Sequence, residues 1–344
     1  MAHAEDCKSF YTGSIPVPTS KKMLFTEKKT CNLFFFDVNR TSLFQRSSVV
    51  EQSAVNRSVV GSSPTAGAIK SPFPPMGLFF LGKRDNMTII QNPLPYFNQR
   101  IDKISQKPIK IDMIVVHCSL YTAHEMIDIF KGQELSAHYI IEANGDIIQL
   151  VDEKNRAWHA GIGSWRSIND INAHSIGIEL VHPTLGHLSP YPEIQLNSFR
   201  KLTKQIINKY RIQPHHIFAH SDMAPTRRYD PGRFFPWKNL AKDGIGSWPA
   251  DTNIIPDDIK HLSVKKLLEE IGYPTDNEKA ALYAFLRHFM PEEIPDREVS
   301  DKDQIDFLWH YEENLPKVLE KLPMPSESII NRLQQVARTY KKKH

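Results

Sequence analysis

The segment that most constrains this chain is Ile111 to Ser119, IDMIVVHCS, a run dominated by β-branched residues and carrying a histidine near its end. Such a run reads as a buried strand. The stretch after it, TAHEMIDIFK, has apolar residues at helical spacing. AHYIIEANGDIIQLV then supplies two strands around Asn144, Gly145 and Asp146, a hairpin signal because Asn and Gly accept the positive φ of a tight turn. SIGIELV, from Ser175 to Val181, is a further strand. Between Glu193 and Tyr210 the residues Ile194, Phe199, Leu202, Ile206 and Ile207 predict a helix with one face on the sheet. Ile217 to Ala219 is a short apolar strand that leads into a loop rich in proline and glycine, His220 to Pro236. Strands alternating with helices predict an α/β fold, a mixed central sheet flanked by helices.

After about Pro256 the patterns are helical only: SVKKLLEEIG closed by Gly272, NEKAALYAFLRHF, a third around Gln304 to Leu322, and SESIINRLQQVARTY. Before about Asn86 no period is sustained and Ser, Thr, Asn and Pro are frequent. Within that part, Ser47 to Ala68 resembles the conceptual translation of a tRNA-like DNA element and reads either as an insertion or as an ordinary polar loop. A length of 344 residues leaves room for two folded units. The expected division is an irregular appendage over 1–86, an α/β domain over 87–255 and a small all-helical domain over 256–344. Ile329, Ile330, Leu333 and Val336 of the last helix need a partner surface, in this chain or in a second copy, so a homodimer is one expected assembly.

Composition removes several functional classes. The basic and acidic residues, 43 and 39, leave a net charge of +4, and the basic ones are scattered. Nucleic-acid binding is therefore not expected. Apolar runs such as Leu33 to Phe36 and Leu78 to Leu81 are far short of a bilayer span, so no integral membrane segment is expected. Three cysteines without C-x-x-C spacing predict neither a disulfide framework nor a cysteine zinc knuckle. The N-terminus lacks the pattern of a secretory signal.

His117 stands next to Cys118 near the end of a strand, and alternation across a strand puts the two on opposite faces. Alone, a strand-end histidine is more often structural than a ligand. His220 also follows a short apolar strand, and Asp230 comes ten positions later on a loop held by Pro225, Pro231 and Gly232. Zinc hydrolases use three protein ligands of these types and keep a fourth position for water, whose pKa the metal lowers. Spacing alone does not single out this trio, because no H-E-x-x-H helix is present.

The surrounding words do. VVHCS, SAHYIIEANGDIIQLV, RAWHAG, SIGIEL and AHSDMAPTRRYDPG occur in that order. Together they resemble the type-2 N-acetylmuramoyl-L-alanine amidases, which include bacterial AmpD and AmiD enzymes, phage amidases and animal peptidoglycan recognition proteins. The resemblance covers about Ile111 to Trp248. It implies one Zn2+ per chain on His117, His220 and Asp230, with Glu179 of SIGIEL as general base. It also implies a cation for the oxyanion at Arg228, where many relatives carry Lys; Arg keeps the charge but not the compact ammonium. The phage branch has a tyrosine where this chain has Ala137, so the chemistry is expected to follow the Glu179 route.

Trp158, His159, Arg166 and Asn172 are the residues the resemblance points to for substrate: an aromatic plane for a sugar, an imidazole for a stem-peptide carbonyl, a guanidinium for a carboxylate and a polar amide. LLEEIGYPTDNEKAALYAFLRHFMP resembles the helical peptidoglycan-binding module of AmiD-type enzymes, a likeness that fades beyond Pro291. The implied partners are peptidoglycan or muropeptides. The implied reaction is hydrolysis of the amide between N-acetylmuramic acid, ordinary or 1,6-anhydro, and L-alanine. A non-catalytic peptidoglycan receptor and a zinc peptidase cutting within the stem peptide are the alternatives. A wall-binding module points to the periplasm or cell envelope, expected ahead of the cytoplasm to which the missing export pattern points.

Overall fold

A computed structural model of the chain describes residues 88–344 except 103, 183–185, 187, 251–254, 295–307, 309, 323 and 342–344. The expectations for 1–86 lie outside the described residues, as does the start of the helix expected around Gln304. The strands are β1 (Ile89–Gln91), β2 (Phe97–Gln99), β3 (Met113–Ser119), β4 (Tyr139–Ile141), β5 (Ile147–Gln149), β6 (Asn155–Ala157), β7 (Ser175–Val181) and β8 (Ile217–Ala219). Among the described residues β1, β5, β4, β7, β3 and β8 lie side by side in that order in one sheet, and β2 pairs with β6 in a separate ribbon. The pairs β4·β7, β7·β3 and β3·β8 are parallel and β4·β5 is antiparallel, so the sheet is mixed as predicted. Asn144 and Gly145 turn the chain between β4 and β5, with Gly145 at φ +88.

The helices are α1 (Ala123–Gln133), α2 (Ile171–His174), α3 (Glu193–Tyr210), α4 (His220–Met223), α5 (Trp237–Ala241), α6 (Asp257–Lys260), α7 (Val264–Ile271), α8 (Glu278–Phe289), α9 (Tyr311–Lys321) and α10 (Glu327–Lys341). None is long and apolar enough to cross a membrane. α1 opens with a capping box in which the Thr122 hydroxyl accepts from the Glu125 amide and the Glu125 carboxylate accepts from the Thr122 amide, satisfying donors that a helix start leaves open. α7 ends at Gly272, whose φ of +129 suits glycine and whose amide donates to the Leu268 carbonyl.

The two faces of β3 are buried against different partners. Ile114, Val116 and Cys118 join Ile176, Ile178 and Leu180 of β7 and Phe199, Leu202 and Ile206 of α3 in one cluster. Met113 and Val115 join Phe218 of β8, Trp165 and residues of α7, α8, α9 and α10 in another. Each large apolar side chain taken fully out of water contributes about 1.5–3 kcal/mol, so both faces are strongly held. One expectation needs correction: Ile194 does not belong to the buried face of α3 and is 55% exposed. The inward stripe runs through Gln195, Leu196, Phe199, Leu202, Thr203 and Ile206, and Ile194 lies one position off it, over the Gly145 turn.

The C-terminal helices are joined to the sheet by polar contacts as well. Asp222, two residues after His220, accepts from the Tyr273 hydroxyl at 2.8 Å and lies 2.7 Å from Nδ1 of His288 on α8. Its second oxygen also accepts from the Ala219 amide at 2.8 Å. α4, which begins at His220, is thereby tied to α8.

Candidate metal centre

Strand register brings the candidate residues together. β3 and β7 run parallel with His117 opposite Glu179. Val116 lies opposite Ala219 of β8, so His220, the next residue, emerges level with His117 on the adjoining strand. All three stand at the carboxyl ends of parallel strands, where an open α/β sheet leaves a crevice. Asp230 arrives from the loop after α4: its carbonyl accepts from the Ser221 amide at 3.1 Å, and its Oδ2 lies 3.4 Å from the donating Cys118 amide.

His117, His220 and Asp230 are buried and form a cluster able to hold a metal ion. His117 Nδ1 is 2.9 Å from His220 Nδ1, Asp230 Oδ2 is 3.1 Å from His220 Nδ1, and 3.5 Å separates Asp230 Oδ2 from His117 Nδ1. Ligands at about 2.0–2.2 Å from a tetrahedral ion stand about 3.3–3.6 Å apart, close to this spacing. Three acceptor atoms facing one another repel unless a proton or a cation lies between them, so the donor set fits a divalent metal of the zinc type. Burial lowers His220 to about 4, which keeps the ring neutral as a ligand must be. Burial works to raise the Asp230 carboxyl, whereas positive charge between it and the His220 and His117 rings outweighs burial and holds it far below its usual range.

Glu179 flanks the trio, its Oε1 4.0 Å from His117 Nδ1, with a side chain 13% exposed. Burial pushes its pKa up to about 7; His117 and Arg228 pull the other way and Asp230 adds to the rise. Two carboxylates in one crevice are thus held in opposite states, one firmly ionised and one poised near neutrality. Arg228 is near enough for its charge to act on Glu179. Its Nη1 donates to the Arg227 carbonyl at 3.0 Å and lies 3.7 Å from Glu312 on α9. Arg227 instead reaches across to the carbonyls of Ala160 and Ile162.

The remaining four candidates separate. His159 lies against His117, with Nδ1 2.9 Å from His117 Nε2. Asn172 turns its Oδ1 to the backbone amides of His159 and Ala160, at 3.0 and 2.8 Å. Trp158 is half-buried, and its indole donates to Asn98 Oδ1 at 3.2 Å. Arg166 is directed to the C-terminal helices: its amide donates to the Gly272 carbonyl at 2.8 Å, its guanidinium reaches the Tyr340 carbonyl at 3.4 Å, and its charge lies 5.9 Å from the Tyr340 ring centre. The structure therefore brings His159 to the trio and places Arg166 on α10.

Sequence reasoning passed over Gly177. A Cβ there would stand 2.4 Å from Cγ of His159, so the ring rests directly on the strand backbone. A glycine inside an otherwise apolar strand, SIGIELV, was the available signal for this close approach. Ser175, whose hydroxyl lies 3.2 Å from His159 Nε2, carried no such signal.

Comparison with known proteins bears on the segment that carries these residues. The pattern of a family described as N-acetylmuramoyl-L-alanine amidase matches residues 106–233. N-acetylmuramoyl-L-alanine amidase AmiD of Escherichia coli (strain K12) is 33% identical over 211 residues, which cover 53% of this chain and 76% of AmiD. This chain belongs to the N-acetylmuramoyl-L-alanine amidase family. The 1,6-anhydro-N-acetylmuramyl-L-alanine amidase AmpD of Haemophilus influenzae is 38% identical over 105 residues, 30% of this chain and 55% of AmpD. A solved complex of E. coli AmiD with the substrate anhydro-N-acetylmuramic acid-L-Ala-D-gamma-Glu-L-Lys superposes with a TM-score of 0.48 at 28% identity, covering 64% of this chain and 91% of that one. Amidase-family membership thus spans the segment that carries His117, Glu179 and His220 and, at its end, Asp230.

Proposed function

We propose that this chain hydrolyses the amide bond between N-acetylmuramic acid and L-alanine in peptidoglycan or muropeptides, using one zinc ion held by His117, His220 and Asp230. The observation that carries this reading is a carboxylate, Glu179, raised to about 7 and 4.0 Å from His117 Nδ1, one of three converging ligand atoms. Zinc bound there supplies Lewis acidity, activating the attacking water and polarising the scissile carbonyl. Glu179 accepts the proton lost by that water and returns it to the departing alanine nitrogen. A group whose pKa lies near the working pH can do both in one turnover. Arg228, on the rim beside Glu179, supplies positive charge for the oxyanion of the tetrahedral intermediate.

Residues 87–255 form the catalytic part in this reading, and 256–344 form a helical part that assists in holding the wall polymer. The shared core between Met113, Val115 and Phe218 and the C-terminal helices supports an accessory part built onto the catalytic sheet. Trp158, half-buried and next to His159 in the chain, is the residue we propose to meet a sugar face.

Product analysis on defined muropeptides tests the proposal. The expected product is a free peptide beginning at L-alanine, released only by zinc-loaded protein. Binding without cleavage would mark a receptor, and a peptide cut internally would mark a peptidase.

A further inference from the structure

Each imidazole has two nitrogens, and a metal ligand must present a bare one. Which nitrogen is bare depends on what the other one meets. In this crevice the answer is traced through hydrogen bonds that admit one direction. The Ser175 hydroxyl is 2.6 Å from the Ile171 carbonyl, which carries no proton, so the hydroxyl donates there. It therefore meets His159 Nε2, 3.2 Å away, as an acceptor. His159 then holds its proton on Nε2 and has a bare Nδ1. That lone pair lies 2.9 Å from His117 Nε2, which must be the protonated nitrogen of His117. His117 Nδ1 is left bare, and it is the atom that faces His220 and Asp230.

The second ligand is treated the same way by the next residue in the chain. His220 Nε2 is 3.0 Å from the Ala160 carbonyl, so it carries the proton and Nδ1 faces the cluster. Both supports, the His159 ring and the Ala160 carbonyl, are held in place by one side chain, since Asn172 Oδ1 accepts from both of their amides. Gly177 leaves the space in which the His159 ring lies.

We infer that His159 and Ala160 of RAWHAG, with Ser175 and Asn172 behind them, are positioning residues that fix the Nε2–H tautomer of both histidine ligands and so pre-form the metal site. This inference rests on the reading of His117, His220 and Asp230 as zinc ligands. It assigns His159 to the metal's support and not to substrate contact.

The test uses the full chain, loaded with zinc, as wild type and as His159→Leu, His159→Asn and Ser175→Ala. Zinc affinity is read by chelator competition, and the ring state of His117 by nitrogen-15 NMR. Removing such an outer support weakens metal binding by about 10–100-fold, and that loss is expected for His159→Leu. His159→Asn, which keeps a carbonyl acceptor near the place of Nδ1, is expected to recover most of it, with Ser175→Ala in between. In the wild type, His117 is expected to bind zinc through Nδ1 with its proton on Nε2.

Zinc affinity unchanged in His159→Leu, with only KM raised, overturns the inference and makes His159 a substrate contact. Coordination of His117 through Nε2 overturns it as well, and that wild-type measurement decides the matter even if His159→Leu does not fold. Wild-type protein that neither binds zinc nor cleaves muropeptide overturns the proposed function itself, whereas active wild type with an insensitive His159→Leu overturns this inference alone.

Discussion

Ile178 and Glu179 are neighbours in the chain and lie on opposite faces of β7. Ile178 enters the core under α3, sealed on every side. Glu179 enters the crevice beside His117, where burial raises its pKa to about 7. The same alternation separates Cys118, in the apolar core, from His117 in the cluster. Strand geometry alone allows one run of residues to build a core and a reactive site together, because successive side chains point to opposite faces. The apolar face is stabilised by packing that does not depend on the charge state of any group. The other face carries groups whose state depends on charge, and it should respond to metal and to pH.

The contrast can be broken most sharply at Asp230. Asp230→Ala is expected to abolish turnover and metal uptake together, measured by product release and by metal analysis of the purified protein. Glu179→Gln comes next: zinc content is expected to stay at wild-type level while turnover falls by about 10²–10⁴-fold, the usual contribution of a positioned base. The pH profile adds a second readout. The base works only when ionised, so wild-type turnover should fall as pH drops, with a midpoint below the metal-free value of about 7 because a bound cation favours the carboxylate. That acid limb should vanish in Glu179→Gln.

Arg228→Ala should cost less than removal of a fully enclosed oxyanion donor, about 10–100-fold in turnover, because its side chain is 41% exposed and already faces Glu312. Arg228→Lys should recover most of that loss. If it does not, the fork of the guanidinium matters and not its charge alone. Ile178→Ala sets the opposite limit. It should lower stability by about 2–5 kcal/mol as a cavity in the core, seen in denaturant unfolding, while turnover per folded molecule stays unchanged. A large drop in that turnover would show that the two faces are coupled.

Much of this was legible in the chain. The buried strands announced themselves by β-branched runs, the hairpin by Asn144 and Gly145, and α3 by its apolar stripe, with only Ile194 misplaced by one position. His117, His220, Asp230 and Glu179 could be named from their words and order. What escaped were positions whose meaning lies in a distant neighbour: Gly177 under the His159 ring, Ser175 behind it, and Arg166 carried to Tyr340. The short strands β1, β2 and β6 escaped as well; FNQ of β2 and NRA of β6 lack the apolar run that marked the equally short β4 and β8.

The sequence by itself determined the alternation of faces, the class of fold and the types of ligand, because these follow from local pattern and residue chemistry. The tertiary structure alone decided that Glu179 pairs with His117, that Asp230 Oδ2 meets two imidazoles, and that the C-terminal helices close the same core as the sheet. Register between strands far apart in the chain is set by packing over the whole sheet. A ring's protonated nitrogen is set by whichever acceptor the fold brings within reach, and neither is encoded in any one segment.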